Sequence, residues 1–247
     1  MSHVRQGHPT TLYCTDTVSN VPEGVIVKPA SEIMEIDREI VTQTSESFLS
    51  NVFRYKMIQA TDAVWIDCDA FCHRPFPDEM QNIYAGHGFR GALNCGVIYI
   101  PKDGELIHRL LDYYFNLPAA PPWFSKQQRK KIDKHDPALP HAMRIYNAEH
   151  TAFGPQAFTY FAQQTGDYDK ALTPDYLYPV PFQLNDVFYD SYGRVEGPSP
   201  TTRFRSIFTP TAQSRGGGKI LRFRCLTRHG CAKRSASVPK RLSKNDT

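Results

Sequence analysis

The sequence predicts an α/β fold, on three observations. A helix-period apolar pattern runs from about residue 46 to 60, with Phe48, Leu49, Val52, Phe53 and Met57 at helical spacing and no Pro or Gly. Two residues later comes the short apolar run Ala63-Val64-Trp65-Ile66. A second such run, Val97-Ile98-Tyr99-Ile100, stops at Pro101 and leads into another amphipathic stretch. Continuously apolar strands alternating with helices belong to a sheet covered on both faces.

The elements follow in order. Thr11–Cys14 and Val25–Val27 read as short strands separated by turn-formers around Pro22 and Gly24. Pro29–Met34 reads as a short helix. The 46–60 helix brings Asn51, Arg54 and Tyr55 onto adjoining faces. After the 97–100 strand, Asp103 is a candidate N-cap for a helix with Leu106, Ile107, Leu110, Leu111 and Tyr114 on one face. Residues 117–141, rich in Pro, Lys and His, read as a surface loop. Gly154-Pro155 opens a helix over Gln156–Gln164, with proline suited to its first turn. Tyr176–Phe182 reads as a last strand or extended segment.

Composition suits a globular chain: 40% hydrophobic, 22% charged and 12% aromatic over 247 residues. The charge is unevenly spread. Twelve of the 29 Lys/Arg but one of the 25 Asp/Glu lie from Arg203 onward, giving that end about +11 and the rest, with 17 bases and 24 acids, about −7. Two units are expected: a domain over 1–197 and a basic, low-order tail over 198–247. The tail has little aromatic interleaving and no reader motif, so no nucleic-acid partner is expected, whereas peripheral contact with an anionic membrane is. No apolar run approaches the roughly 18 residues of a membrane-spanning helix, and the first residues lack the apolar core of a secretory signal. The expected location is cytoplasmic, peripheral to the inner face of a membrane. The six cysteines form no Cys-x-x-Cys pair and read as buried thiols.

The chemistry centres on Val64-Trp65-Ile66-Asp67-Cys68-Asp69. The segment reads as a buried strand, on which side chains alternate, so Asp67 and Asp69 share a face at its C-terminal end, where α/β sheets bind ligands. Two close carboxylates repel unless a cation lies between them. Oxygen ligands of this kind suit Mg²⁺ or Mn²⁺, which also bridge a diphosphate.

Beyond these two acids, Ser50–Ile58 with Ala63–Asp69 resembles the Asp-x-x-x-Arg-Tyr … Trp-x-Asp-x-Asp block of GT-A-fold glycosyltransferases. The group is that of sugar-transfer proteins containing the Asp-x-Asp motif, related to mannosyl- and α1,4-galactosyl/GlcNAc-transferases and to the clostridial glucosylating toxins. Gly7-His8 with Leu12-Tyr13, Arg74-Pro75-Phe76, Asn94-Cys95-Gly96-Val97 and Gly154-Pro155 with Tyr178-Pro179 fall in the family's order, over roughly residues 7–182.

The resemblance implies a GT-A (Rossmann-like) fold with a mixed central sheet. It also implies retaining transfer of a hexose from a nucleoside-diphosphate sugar to a saccharide, glycan or glycolipid acceptor. Asp67 and Asp69 would hold Mn²⁺ or Mg²⁺ and the diphosphate. Arg54 and Asn51 would bind the donor and Trp65 would lie against the nucleotide. Asn94 would stand at the reacting centre, and Gly154, Pro155 and Gln156 would form the acceptor side.

The chain departs from the pattern in four places. Asn51 stands where the family carries Asp, and Thr61-Asp62-Ala63 replaces a Gly-Gly turn. The family's first strand precedes Gly7-His8, so a sheet lacking that strand is expected. Its late His-x-Trp has no counterpart; Arg205–Phe208 stands there without His. A chain shortened in front and scrambled behind is the corresponding expectation, and a catalytically inactive remnant or binding protein is the alternative. A haloacid-dehalogenase-like phosphatase fits less well, because Phe71 occupies the position of its Thr or Val and Gly166–Asp169 has the wrong spacing for its late acids.

Overall fold

The computed structural model describes residues 2–36, 38–77, 82–84, 91–178 and 220–223. The chain opens with α1 (Ser2–Arg5), then the parallel strands β1 (Thr10–Cys14) and β2 (Val25–Pro29), a 3-10 turn at Ala30–Glu32 and α2 (Arg38–Gln43). Next come α3 (Glu46–Thr61), β3 (Val64–Ile66), β4 (Val97–Ile98) and α4 (Glu105–Phe115). Then follow α5 (Lys126–Lys134), α6 (His141–Ala148), a π-type turn at Ala152–Gln156, α7 (Ala157–Thr165), a 3-10 turn at Tyr168–Lys170, α8 (Pro174–Leu177) and β5 (Ile220–Phe223). The result is a mixed α/β fold on one sheet of order β2-β1-β5-β3-β4, with β3–β4 antiparallel and the other pairs parallel.

The sequence expectations hold best where apolar residues are dense. Helix α3 starts at Ser45, whose hydroxyl accepts from Phe48 N–H at 3.1 Å. It buries nine side chains and ends at Asp62, which is left-handed at φ 54°. Aspartate tolerates that conformation better than most side chains, so the turn forms without glycine. Tyr99 Oη then donates to Asp62 Oδ1 at 3.0 Å, tying the turn to the residue after β4.

Strand β3 is buried on both faces, as a continuously apolar strand should be. Trp65 packs with α3, α4 and α7 in the larger core, while Val64 and Ile66 join Phe76, Ile83, Val97 and Leu177 on the other side. Each such buried side chain stabilises by about 1.5–3 kcal/mol relative to exposure.

Several expectations are corrected. The 117–141 segment is not a loop throughout, because it contains α5. Ser125 accepts from Gln128 N–H and Gln128 Oε1 from Ser125 N–H, a capping box that starts the helix although Ile132 is its one buried residue. Helix α4 begins at Gly104, without a side-chain cap from Asp103. The strand at 97–100 shortens to Val97–Ile98, with Tyr99 in an isolated bridge to Ile83. Tyr176–Phe182 starts as the helix α8, since Pro174 occupies its first turn; residues 179–182 lie outside the described residues. The sheet contains a parallel strand, β5, from the segment expected to lack order. It closes the space between β1 and β3 by pairing its backbone with both. The remainder of 198–247, including Arg205–Phe208, lies outside the described residues.

Among the described cysteines, Cys14, Cys72 and Cys95 are buried and Cys68 is exposed, none in a disulfide. Among the described residues no helix is long and apolar enough to cross a membrane.

Candidate functional site

The site forms where β3 ends against α3. Asp67 is the first residue after the strand, and its N–H donates to Gly96 O at 2.7 Å, which fixes it beside the turn before β4. Its carboxylate Oδ1 accepts from Trp65 Nε1 at 2.7 Å and from Arg54 Nη2 at 3.1 Å. Arg54 Nη1 donates to Asn51 Oδ1 at 2.6 Å, and Asn51 Nδ2 to Ser47 O at 2.7 Å. The guanidinium carbon lies 4.9 Å from the centre of the Trp65 ring, within cation–π range. Helix α3 thus presents Ser47, Asn51 and Arg54 one turn apart, and the strand brings Trp65 and Asp67 to meet them.

Arg54 is buried and Asp67 is 40% exposed at its side chain, so the charge pair sits at the floor of an opening. Burial works against the Arg54 charge, but the neighbouring Cys95 and Asp67 outweigh it and raise the pKa above that of ordinary arginine. Burial likewise pushes the Cys95 thiol up.

The opening is a cavity of about 760 Å³ lined by both acids and by Asn51, Arg54 and Trp65, with Met143 and Tyr146 of α6 on another wall. This volume lies within the range of small-molecule sites. Asp69 reaches the cavity by a route the strand argument did not foresee. The strand stops at Ile66 and Ala70 N–H donates to Asp67 O at 3.0 Å, so Asp69 lies in a turn rather than two residues along a strand. The shared-face reasoning therefore fails for Asp69, although both acids line one cavity.

The segment after the turn is pinned from α1 and the residues that follow α1. Cys72 N–H donates to Ser2 Oγ at 3.0 Å, Gln6 Nε2 to His73 O at 2.8 Å, and Phe76 N–H to His8 Nε2 at 2.9 Å. The last bond requires the proton of neutral His8 to sit on Nδ1.

Asn94 accepts from Gly96 N–H at 2.8 Å through Oδ1, so its side chain shapes the turn beside Asp67. Asn94 does not line the cavity. The three residues expected on the acceptor side also lie elsewhere. Gly154 backs onto Asn51 and Cys95, Pro155 O accepts from Thr159, and Gln156 Nε2 donates to Thr151 Oγ1 at 2.7 Å.

Gly96 and Tyr178 had no assigned role in the sequence reading. A Cβ on Gly96 would lie 3.1 Å from Asp67 Oδ2 and 3.3 Å from Asn94 Oδ1, so its lack of a side chain admits the carboxylate. Tyr178 Oη accepts from Val97 N–H at 3.2 Å and closes the same turn, and burial raises its pKa. The Asn94-Cys95-Gly96 turn was the local clue to Gly96; Tyr178 entered the sequence reading through the Tyr178-Pro179 match alone, without a role.

As a cation site, Asp67 and Asp69 form a sparse set. No group of three or more His, Cys, Asp or Glu suited to a metal occurs among the described residues. Asp67 Oδ1 is engaged by Trp65 and Arg54, while Oδ2 has no protein hydrogen bond among them. Asp67 Oδ2 stands beside Gly96, and exposed Asp69 lines the same cavity as Asp67. Mg²⁺ characteristically takes one or two carboxylates and fills its other positions with water and phosphate.

No protein-family model matches the chain, and neither a curated protein nor a solved structure does.

Proposed function

We propose that the chain is a metal-dependent, retaining glycosyltransferase of the GT-A type, moving a hexose from a nucleoside-diphosphate sugar to a saccharide or lipid-linked acceptor. The observation that supports this most is the Asp67 carboxylate, oriented by Trp65 and Arg54 at the floor of the cavity with its second oxygen turned from both partners. Asp67 and Asp69 would hold the Mg²⁺ or Mn²⁺, which supplies positive charge for the donor's diphosphate. Arg54 adds a fixed cation whose planar guanidinium suits phosphate or sugar hydroxyls, and Asn51 orients it. Trp65 offers its ring below Arg54 rather than in open solvent, so its part is to orient Asp67 and Arg54. Asn94 acts through the Gly96 turn.

The test is release of nucleoside diphosphate from UDP- and GDP-sugars in the presence of Mn²⁺. Release is expected for at least one donor, with a loss of at least a hundredfold in Asp67→Asn and Asp69→Asn. A second reading, a binding protein without turnover, draws on the Arg54–Asp67 ion pair, which already neutralises one of the two acids. It is distinguished by metal-dependent binding of the donor without release. Absence of both binding and release across the donors refutes the transferase reading.

A further inference from the structure

A second cavity, of about 470 Å³, adjoins the first and shares Cys68 and Asp69 with it. We propose that this second cavity is a sugar-binding subsite for the acceptor, with the exposed ring of Phe71 as its platform; the acceptor role rests on the transferase reading above. Phe71 is 57% exposed, yet it stands between the Asp67–Ala70 turn and a segment tethered by hydrogen bonds of Cys72, His73 and Phe76 to Ser2, Gln6 and His8. A large apolar side chain so bracketed beside a cavity offers a pre-positioned contact surface, which limits the ordering cost of binding.

The chemistry of the lining suits a neutral pyranose. Such a ring has an apolar C–H face and a rim of hydroxyls. Phe71 supplies the apolar counterpart, while Arg5 and Asp69 supply a donor and an acceptor at the rim. Neither Arg5 nor Asp69 has an ion-pair partner among the described residues. Without a bound cation, Arg5 and Asp69 roughly cancel, which favours an uncharged sugar over an anionic one.

The place of the subsite gives it its role. Ligands in the two cavities approach each other across Cys68 and Asp69, the residues common to both. In the transfer, the acceptor hydroxyl oxygen bonds to the anomeric carbon as the bond from that carbon to the diphosphate oxygen breaks. The hydroxyl proton leaves with the departing diphosphate. The reacting atoms must come within roughly 3–3.5 Å, so an acceptor subsite has to share an edge with the donor cavity, as this one does.

The experiment measures saturation-transfer NMR on the full chain with the methyl glycosides of glucose, galactose, mannose and N-acetylglucosamine, without donor. At least one glycoside is expected to receive saturation on its C–H face. Phe71→Ala is expected to weaken that binding about tenfold, as loss of the apolar contact implies, without moving the thermal midpoint. Asp67→Asn, which alters the first cavity alone, is expected to leave it unchanged. No transfer to any of the four, or transfer that survives Phe71→Ala, overturns the subsite. With Mn²⁺ and a donor present, Phe71→Ala should raise the acceptor KM about tenfold. Glycoside binding that depends on Phe71, without release from any donor, keeps the subsite and refutes the transferase reading instead.

Discussion

Replacing Arg54 with methionine tests the construction of the site at its centre. The substitution keeps a long side chain and removes the charge. Asn51 Oδ1, in a residue 4% exposed, loses its 2.6 Å bond from the guanidinium. Its remaining donor is the Cys95 thiol at 4.0 Å, a weak one, and a buried acceptor so poorly satisfied costs about 1–3 kcal/mol. Asp67 loses a 3.1 Å ion pair, but its side chain is 40% exposed, so water replaces the partner and the cost falls to about 1 kcal/mol or less. Loss of the contact with the Trp65 ring adds about 0.5–1 kcal/mol. Against these stands the relief of no longer burying a guanidinium, which is why exchange of buried ion pairs for apolar groups is sometimes nearly neutral.

The net expectation for Arg54→Met is a loss of about 2–3 kcal/mol, or about 1–1.5 M in urea midpoint for an m-value near 2 kcal/mol/M. Equilibrium urea unfolding followed by circular dichroism measures it. The reasoning puts much of the cost on Asn51, so Asn51→Leu should be far less harmful in the Arg54→Met background than alone, with a coupling of about 1–2 kcal/mol. Additivity within about 0.5 kcal/mol, the behaviour of independent sites, would refute the claim that Arg54 and Asn51 act as one unit.

Gly96→Ala would place a methyl group 3.1 Å from Asp67 Oδ2. The carboxylate must yield by a few tenths of an ångström, so Mn²⁺-dependent thermal stabilisation by a nucleoside diphosphate should weaken about tenfold, while stability in its absence falls by about 1 kcal/mol. The alkaline limb of stability should be steep. Burial raises the pKa values of Tyr55, Tyr84 and Tyr114 above the ordinary value near 10. With folded values above unfolded ones, their contribution is present below pH 10 and is lost as pH rises through the folded values. In a phenolate absorbance titration these three tyrosines should ionise with unfolding rather than before it; full ionisation with retained circular dichroism would contradict their burial.

What was legible in the sequence and what was not divides by the range of the interaction. Helix α3 could be read because Phe48, Val52, Phe53 and Met57 repeat at the helical period, and β3 because Val64, Trp65 and Ile66 are apolar on both faces. These patterns are local and record the burial that stabilises the element. Arg54 and Asp67 were each singled out by resemblance, but their 3.1 Å ion pair, between residues thirteen apart, was not foreseen. Helix α5 escaped notice because it buries Ile132 alone, so no period exists to be seen; its mark was the shorter Ser125-x-x-Gln128 signature. Met143 and Tyr146 stand on the neighbouring helix α6, a stretch to which the sequence reading gave no element.

The turn at Asp67–Ala70 shows why a two-residue spacing was insufficient evidence. The period-2 rule holds while the backbone is extended, and a strand ends where its pairing ends. Strand β3 pairs with β4 only at Trp65 and Ile66, and Ala70 then bonds back to Asp67 O. The segment beyond Asp69 is then held by bonds to Ser2, Gln6 and His8, each spanning more than sixty residues. All three precede β1; Ser2 and Gln6 look unremarkable in a linear reading, and His8 stood out there only through the Gly7-His8 match. Their role follows from the sheet, which brings the start of the chain beside the exit of β3, so the segment that follows the second carboxylate depends on residues remote in sequence from both acids.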